Sequence, residues 1–269
     1  MLAVATALAG GQSFRLRAFL PASGTLIEQA QALGEALAAR PRAIVLDPID
    51  YSALFPYLRA AHDAGTPVVL LQTPRDLRNA TFVASFVAPE QRGLDAATAS
   101  ALVGLIGSQR VPTIAFLSTT PPAGTAGATF AGLSRDLRRL RPTARLTAVP
   151  LDGAGASTAR ERLRTLLTAE PPPSAVVSID ALSTGYLAAA VAGVRRRPAV
   201  VVTTVDGQSS ALLSQSLADV VVGADMCEAT RSAMRAAAAA ARNEPAGIEP
   251  APTVTPRTYS RAATLDACA

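Results

Sequence analysis

The sequence predicts an α/β fold of two lobes, each a parallel sheet covered by helices. Three observations predict it. Short β-branched runs alternate with longer amphipathic runs rich in Ala and Leu along the 269-residue chain. Most of the strand-like runs are apolar at nearly every position, the pattern of strands buried on both faces. Nine such runs are present, and two sheets of about four to six strands fit ordinary sheet sizes better than one of nine.

The strands fall at Arg15–Leu20, Ala43–Leu46, Pro67–Leu71, Phe82–Val87, Thr113–Leu117, Arg145–Val149, Ala175–Ser178, Ala199–Thr203 and Asp219–Val222. The helices between them fall at Thr25–Ala39, Ser52–Ala64, Gln91–Ser108, Gly127–Leu140, Ser157–Ala169, Leu182–Arg195, Ser209–Ser216 and Asp225–Arg242. Ser52 and Ser157 stand where N-caps belong. Gly65 follows one helix and Pro67 opens the next strand, the usual stop signals. A long helix ends and a strand begins at Gly107–Pro112, which reads as a break between lobes. The tail from Asn243 to Pro256 carries four prolines, Pro245, Pro250, Pro252 and Pro256, and reads as an extended connector or edge segment.

Composition narrows the function classes. The chain is 49% hydrophobic and 17% charged, which excludes a disordered segment. Its formal net charge is +5, but every basic residue is Arg and they are spread along the chain. The densest group, Arg135, Arg138, Arg139 and Arg141, has helical spacing and reads as a solvated helix face rather than a nucleic-acid surface. The sequence predicts no nucleic-acid binding, and no membrane insertion, because no apolar run reaches about 18 residues. Met1–Gly10 is apolar but lacks a basic start, so it reads poorly as a signal peptide. Cys227, Cys268 and His62 form no metal-ligand spacing, and the pairing of the two cysteines stays open. No metal or cofactor is expected.

In open parallel sheets, ligands bind beyond the carboxyl ends of the strands. The residues there are Asp47, Pro48 and Asp50; Gln72, Thr73 and Arg75; Thr119 and Thr120; Asp180; and Asp206, Gly207 and Gln208. They are hydrogen-bonding groups suited to a neutral polar ligand. Asp47 and Asp50 read as turn and capping residues. Gly153-Ala-Gly155-Ala-Ser-Thr lacks the third glycine of a dinucleotide fingerprint and reads as a loop opening a helix. His62 reads as an exposed helix residue. No nucleophile and base are paired in the sequence, so a non-enzyme is expected.

Three segments resemble a known family. Ala43-Ile-Val-Leu-Asp-Pro-Ile-Asp-Tyr-Ser-Ala-Leu54 is similar to its strand, Pro-x-Asp turn and helix start. Ala60-Ala-His-Asp-Ala-Gly-Thr-Pro-Val-Val69 is similar to its helix, glycine and Pro-Val-Val strand. Val201-Val-Thr-Thr-Val-Asp-Gly207 is similar to the strand ending in Asp-Gly in its second lobe. Phe82–Gly93, Gly124–Leu133 and Ser178–Gly185 add weaker matches, and the whole likeness spans Leu2 to Val254. The family is that of the ribose/galactose-type periplasmic binding proteins, type I in fold, which is shared with effector domains of lac-repressor-like regulators.

The resemblance implies two Rossmann-like lobes joined by a three-segment hinge and closing on a ligand. It divides the chain into an N-terminal lobe, 1–109 plus 224–251, and a C-terminal lobe, 110–223 plus 252–269. Against the family's pattern the first strand and the first half of the following helix are missing. Leu2–Ala9 aligns with the end of that helix and Arg15–Leu20 with the second strand. Most family sugar contacts are replaced as well. They fall at Ala88, Gly127, Ile179 and Gly223, and the stacking aromatic falls at Gly153 or Ala154. Asp206 is the retained ligand position.

The expected function is that of an ABC-transporter solute-binding protein holding a sugar or other small polar ligand in the inter-lobe cleft. Asp206, Asp180, Thr120, Arg75 and Gln208 are its candidate ligand-binding residues. Its partners would be the transporter's membrane subunits, and its place the periplasm, given a signal peptide upstream of Met1. The alternatives are the effector-binding domain of a lac-repressor-like regulator, or a periplasmic sensor module.

Overall fold

The computed structural model describes residues 15–19, 26–48, 51–71, 82–89, 91–119, 125–151, 155–194, 196–205, 207–242 and 253–260. The chain divides into two compact units. The first comprises residues 1–89, 225–255 and 268, the second residues 90–224, 256–267 and 269.

In the first unit, α1 (Leu26–Ala38), β1 (Ile44–Leu46), α2 (Tyr51–Asp63), β2 (Val68–Leu70), β3 (Ser85–Phe86) and β4 (Ala88–Pro89) are joined by α8 (Met226–Ala241) and β10 (Thr253–Val254). The strands form a parallel sheet in the order β1-β2-β3, with Ile44 beside Val68 and Val69 beside Ser85. A separate parallel pair joins β10 to β4. Leu33 of α1, Leu54, Leu58 and Ala61 of α2, and Val68 and Leu70 of β2 close one apolar cluster. Gly65 ends α2 with a left-handed turn, φ +68°. Its N–H donates to the His62 carbonyl and the Thr66 N–H to the Ala61 carbonyl. Glycine takes this conformation at the least steric cost.

The second unit holds α3 (Gln91–Ile106), β5 (Thr113–Ser118), α4 (Thr125–Leu140), β6 (Arg145–Pro150), α5 (Ala156–Leu167), β7 (Ala175–Ser178), α6 (Ala181–Val191), β8 (Ala199–Val202), α7 (Gly207–Ser214), β9 (Val220–Ala224) and β11 (Pro256–Ser260). Its sheet runs β11-β9-β8-β7-β5-β6, parallel except for the edge strand β11. Alternation along the strands sorts the core onto two faces. Ile114 and Phe116 pack with Ala99, Leu102, Ile106, Leu133 and Leu137, under α3 and α4. Ala115 and Leu117 pack with Leu163, Leu187 and Leu212, under α5, α6 and α7. Both faces of this sheet are therefore covered, which is why its strands read as continuous apolar runs.

The structure departs from the expected elements at five points. Residues 15–19 form no strand; Arg15, Leu16, Arg17 and Ala18 are all exposed, so no face of this segment is buried to hold it. The stretch 82–87 holds only the two-residue strand β3 (Ser85–Phe86), and β4 follows it at Ala88–Pro89. Ser52 and Ser157 are not N-caps: α2 already includes Tyr51, and Gly155 caps α5. The break expected at Gly107–Pro112 falls instead between Pro89 and Glu90, because α3 packs on α4 and on strands of the second sheet. Arg257–Ser260 add an edge strand to β9, anchored by buried Tyr259, whose hydroxyl donates to the Ala224 carbonyl at 3.1 Å.

Cys227 is disulfide-bonded. The chain's one other cysteine, Cys268, lies outside the described residues.

Candidate functional site

The strand order of the second sheet reverses at β5. The chain passes from β5 outward to β6, then returns to the opposite side of β5 to form β7. The region beyond the carboxyl ends of the strands at such a reversal is where doubly wound sheets hold ligands.

Asp180 and Thr119 stand on the two sides of that reversal. Asp180 follows β7 as the N-cap of α6. Its Oδ1 accepts from the Ser183 N–H at 2.8 Å and from the Thr119 hydroxyl at 2.8 Å. Its Oδ2 accepts from the Thr119 N–H at 2.9 Å. One carboxylate thus caps a helix and ties the β5 loop to the β7 loop. The helix N-terminus also favours the negative charge there.

A hydroxyl cluster backs this carboxylate. Ser178, Ser183 and Thr184 are fully buried. The Ser178 hydroxyl lies 2.7 Å from that of Ser183 and 2.9 Å from that of Thr184. The Ser183 and Thr184 hydroxyls both donate to the Asp180 carbonyl, at 3.0 and 2.8 Å. These bonds satisfy groups that would be costly to bury alone. They hold the loop's backbone and carry no polar group outward themselves.

Farther along the same edge, Thr203, Thr204 and Val205 leave β8. The Thr203 N–H donates to the Ser178 carbonyl at 2.9 Å. The Ser209 hydroxyl donates to the Thr204 carbonyl at 2.7 Å, tying the start of α7 to this loop. Val205 lies against Gly223 of β9: a Cβ on that glycine would stand 2.1 Å from Val205 Cγ2. A side chain at 223 would therefore force Val205 to shift.

Of the five candidate ligand residues, Asp180 is the one whose side chain is described. Arg75, Thr120 and Asp206 lie outside the described residues, as does the Gln208 side chain. Ile179, at the place of a family asparagine, packs partly against the apolar face under α3 and α4. In the first unit, Asp47 follows β1 and its carbonyl accepts from Gln29 Nε2 at 2.7 Å; Asp50 is outside the described residues. The link to Thr119 and the Val205–Gly223 contact were missed in the sequence. Each joins residues distant along the chain, and only the small size of Gly223 hinted at the second.

His62 sits on the exposed side of α2, 3.5 Å from the Asp63 carboxylate and edge-on to the Phe82 ring. Among the described residues no three His, Cys, Asp or Glu side chains gather to hold a metal ion. No described helix is long and apolar enough to cross a membrane.

The chain thus forms two α/β units that it enters more than once, the second a doubly wound sheet whose strand order reverses at β5. Residues 3–245 match the family described as "Periplasmic binding protein domain", and the chain belongs to that family. Solved structures agree on the fold. GanP, a glucose-galactose binding protein from Geobacillus stearothermophilus, superposes with a TM-score of 0.70 at 17% identity, covering 97% of this chain and 91% of its own. A carbohydrate transporter solute-binding protein from Agrobacterium radiobacter, in complex with D-arabinose, gives 0.70 at 18%, covering 97% and 88%. An ABC transporter solute-binding protein from Mycobacterium smegmatis, with bound glycerol, gives 0.67 at 19%, covering 97% and 88%. None of the curated proteins matches the sequence.

Proposed function

We propose that this protein is a solute-binding subunit of an ABC importer, taking a sugar or other small polar ligand at the carboxyl edge of its sheets. The observation that carries this reading is the Asp180–Thr119 brace at the strand reversal of the second unit. It fixes two loops where a binding protein needs them, and it spends its polar groups on position rather than on chemistry. Family membership and the sugar-binding neighbours support the same reading, and make a binding role a better account than catalysis.

In this reading Asp206 accepts hydrogen bonds from ligand hydroxyls, following the family position it occupies. Thr120, Arg75 and Gln208 contribute from neighbouring loops. Asp180 contributes chiefly by positioning, since three donors already engage its carboxylate. The partners are the membrane subunits of the transporter. The disulfide at Cys227 accords with an oxidising, extracytoplasmic compartment.

A thermal-shift screen of pentoses, hexoses and polyols tests it. A bound ligand raises the melting temperature with concentration, because it binds the native state alone. Asp206→Ala should abolish that rise and leave the ligand-free melting temperature in place. A rise that survives the substitution removes Asp206 from the site. No rise with any sugar or polyol removes the sugar-binding reading.

A further inference from the structure

We propose that the edge strand β6 of the second unit docks an extended acidic segment of a partner protein, which adds to the sheet beside Leu146 and Ala148 and sets its carboxylates against Arg138 and Arg145. This does not depend on the ligand-binding reading above.

Among the described residues β6 ends the strand order of its sheet, paired with β5. The Arg145 N–H donates to the Pro112 carbonyl at 2.9 Å, and the Leu151 N–H to the Ser118 carbonyl at 2.8 Å. Successive residues of a strand turn their backbone groups to opposite edges, so residues 145, 147, 149 and 151 bond inward to β5. The N–H and C=O groups of Leu146 and Ala148 therefore face away from the sheet. Pro150, next in that outward series, has no N–H, and its carbonyl accepts from Arg162 Nη1 at 3.0 Å. Proline and charge are common means of blunting an edge strand. Here they close the carboxyl end of β6 and leave Leu146 and Ala148 open. The side chains of Thr147 and Ala148, which project to opposite faces, are both exposed, so the helices on the two faces leave room beside this edge.

Charge selects the occupant. Together α4, β6 and α5 carry seven arginines and two acids. Both acids are engaged, Asp136 by Arg135 at 3.3 Å and Glu161 by Arg164 at 2.8 Å. Helix α3 lies over β7, β8, β9 and β11, which leaves α4 on the β6 side. On α4, Leu137 faces the core, while Gly132 and Asp136 face Asp95 of α3. A helix turns about 100° per residue, so Arg138 falls on the flank opposite Asp136, towards β6. Arg145 opens β6, with its side chain on the other face, the one shared with Val149. Both arginines are exposed, and neither is ion-paired among the described residues.

A second copy of this chain would bring like charges together along the paired edges. A nucleic acid would use the charges and leave the outward groups of Leu146 and Ala148 unused. An extended acidic segment satisfies both. Its backbone bonds to the edge as an added strand. Two successive acidic side chains project to opposite faces, one towards Arg138 and the other towards Arg145.

Fluorescence anisotropy on the full chain at low salt tests this, with the end-blocked, labelled peptide Val-Thr-Glu-Asp-Glu-Thr-Val as probe. One comparator is Val-Thr-Gln-Asn-Gln-Thr-Val, which removes the charge. Another is the acidic peptide N-methylated at its Glu, Asp and Glu residues, which keeps the charge and blocks the strand's N–H groups. The acidic peptide should bind at least fivefold more tightly than either. Ala148→Pro repeats at 148 what Pro150 does at 150 and should weaken binding at least fivefold, as should Arg138→Glu combined with Arg145→Glu. Where Ala148→Pro fails to fold, the N-methylated peptide makes the same test on the native protein. A smaller ratio in any of these comparisons overturns the inference. Tighter binding of single-stranded oligothymidylate than of the acidic peptide overturns it too, and so does the lack of saturable peptide binding up to about 1 mM. None of these outcomes bears on sugar binding.

Discussion

Thr119 gives both its backbone N–H and its hydroxyl to the one carboxylate of Asp180, at 2.9 and 2.8 Å, across 61 residues of sequence. The pair straddles the point where the second sheet reverses its strand order, tying the residue that follows β5 to the residue that caps α6. The same carboxylate caps α6.

Breaking this brace should cost stability as well as order. Asp180→Ala removes a helix cap and two charge-assisted bonds, together about 2–4 kcal/mol. Asp180→Asn keeps a capping oxygen and should lose about half as much. Urea unfolding reads both, with an unchanged slope expected if the native state stays compact. A loss under about 0.5 kcal/mol in the alanine variant, the size of an ordinary surface substitution, would contradict the brace.

At the opposite, amino end of the sheet, Arg197 grips Asp219 through two parallel bonds of 2.6 and 2.7 Å, and Asp219 also accepts the Val200 N–H at 2.9 Å. The hydrogen bonds to Asp219 raise the arginine's already high pKa, with burial opposing them and the ionic attraction adding to them. Arg197→Lys keeps the charge but loses the planar fork. It should cost about 1–2 kcal/mol in chemical denaturation, and Asp219→Ala more, since the Val200 N–H then loses its partner. Equal stability of Arg197→Lys and the native protein would show that charge alone suffices.

Asp95 gives the fold a pH dependence. It is buried on α3, accepts from Gln91 Nε2 at 2.7 Å, and lies so close to Gly132 of α4 that a Cβ there would meet its Oδ2 at 1.8 Å. Burial raises its pKa, Gln91 lowers it, Asp136 raises it and Arg135 lowers it, the net being upward. The unfolded chain therefore gives up this proton first as pH rises. The stabilisation is present below the unfolded value of 3.8 and is lost between there and the raised folded value. Asp95→Asn keeps an acceptor for Gln91 without the charge. Its stability relative to the native protein should rise with pH across that window and then level off. A difference independent of pH would contradict the burial account. Gly132→Ala should destabilise by more than about 2 kcal/mol, because the clash lies in a packed helix pair.

The disulfide makes a chemical prediction. Thiol titration in denaturant should find no free cysteine before reduction and two after it. Cys227→Ser should cost about 2–5 kcal/mol. Free thiol in protein made under oxidising conditions would contradict the pairing.

The parts of this fold legible in the sequence are those where local pattern and burial coincide. Ala175–Ser178 is buried at all four positions, and its apolar run could be nothing but a central strand or a short buried helix segment. Arg15–Leu20 has strand-like composition, yet Arg15 and Arg17 alternate with apolar residues that find no face to bury. Pro256–Ser260 carries the opposite error: its one buried side chain is Tyr259, so its period is too weak to read, and an edge strand needs only β9 beside it. The assignment of α3 to the second unit depends on which neighbour its apolar face meets, and punctuation at Gly107 says nothing of that. At the site, Asp180 was legible from its place after a strand. Its engagement with Thr119 was not, since nothing local to either residue encodes a bond over such a separation.

The central claim is that this chain holds one small sugar or polyol through Asp206 and the loops that Asp180 braces. Titration calorimetry of the purified protein tests it most directly, using whichever sugar or polyol gives the largest thermal shift. The account predicts a single saturable site per chain, abolished in Asp206→Ala and weakened in Asp180→Ala. Heat signals no larger than dilution for every compound, or an isotherm unaltered by Asp206→Ala, would contradict it.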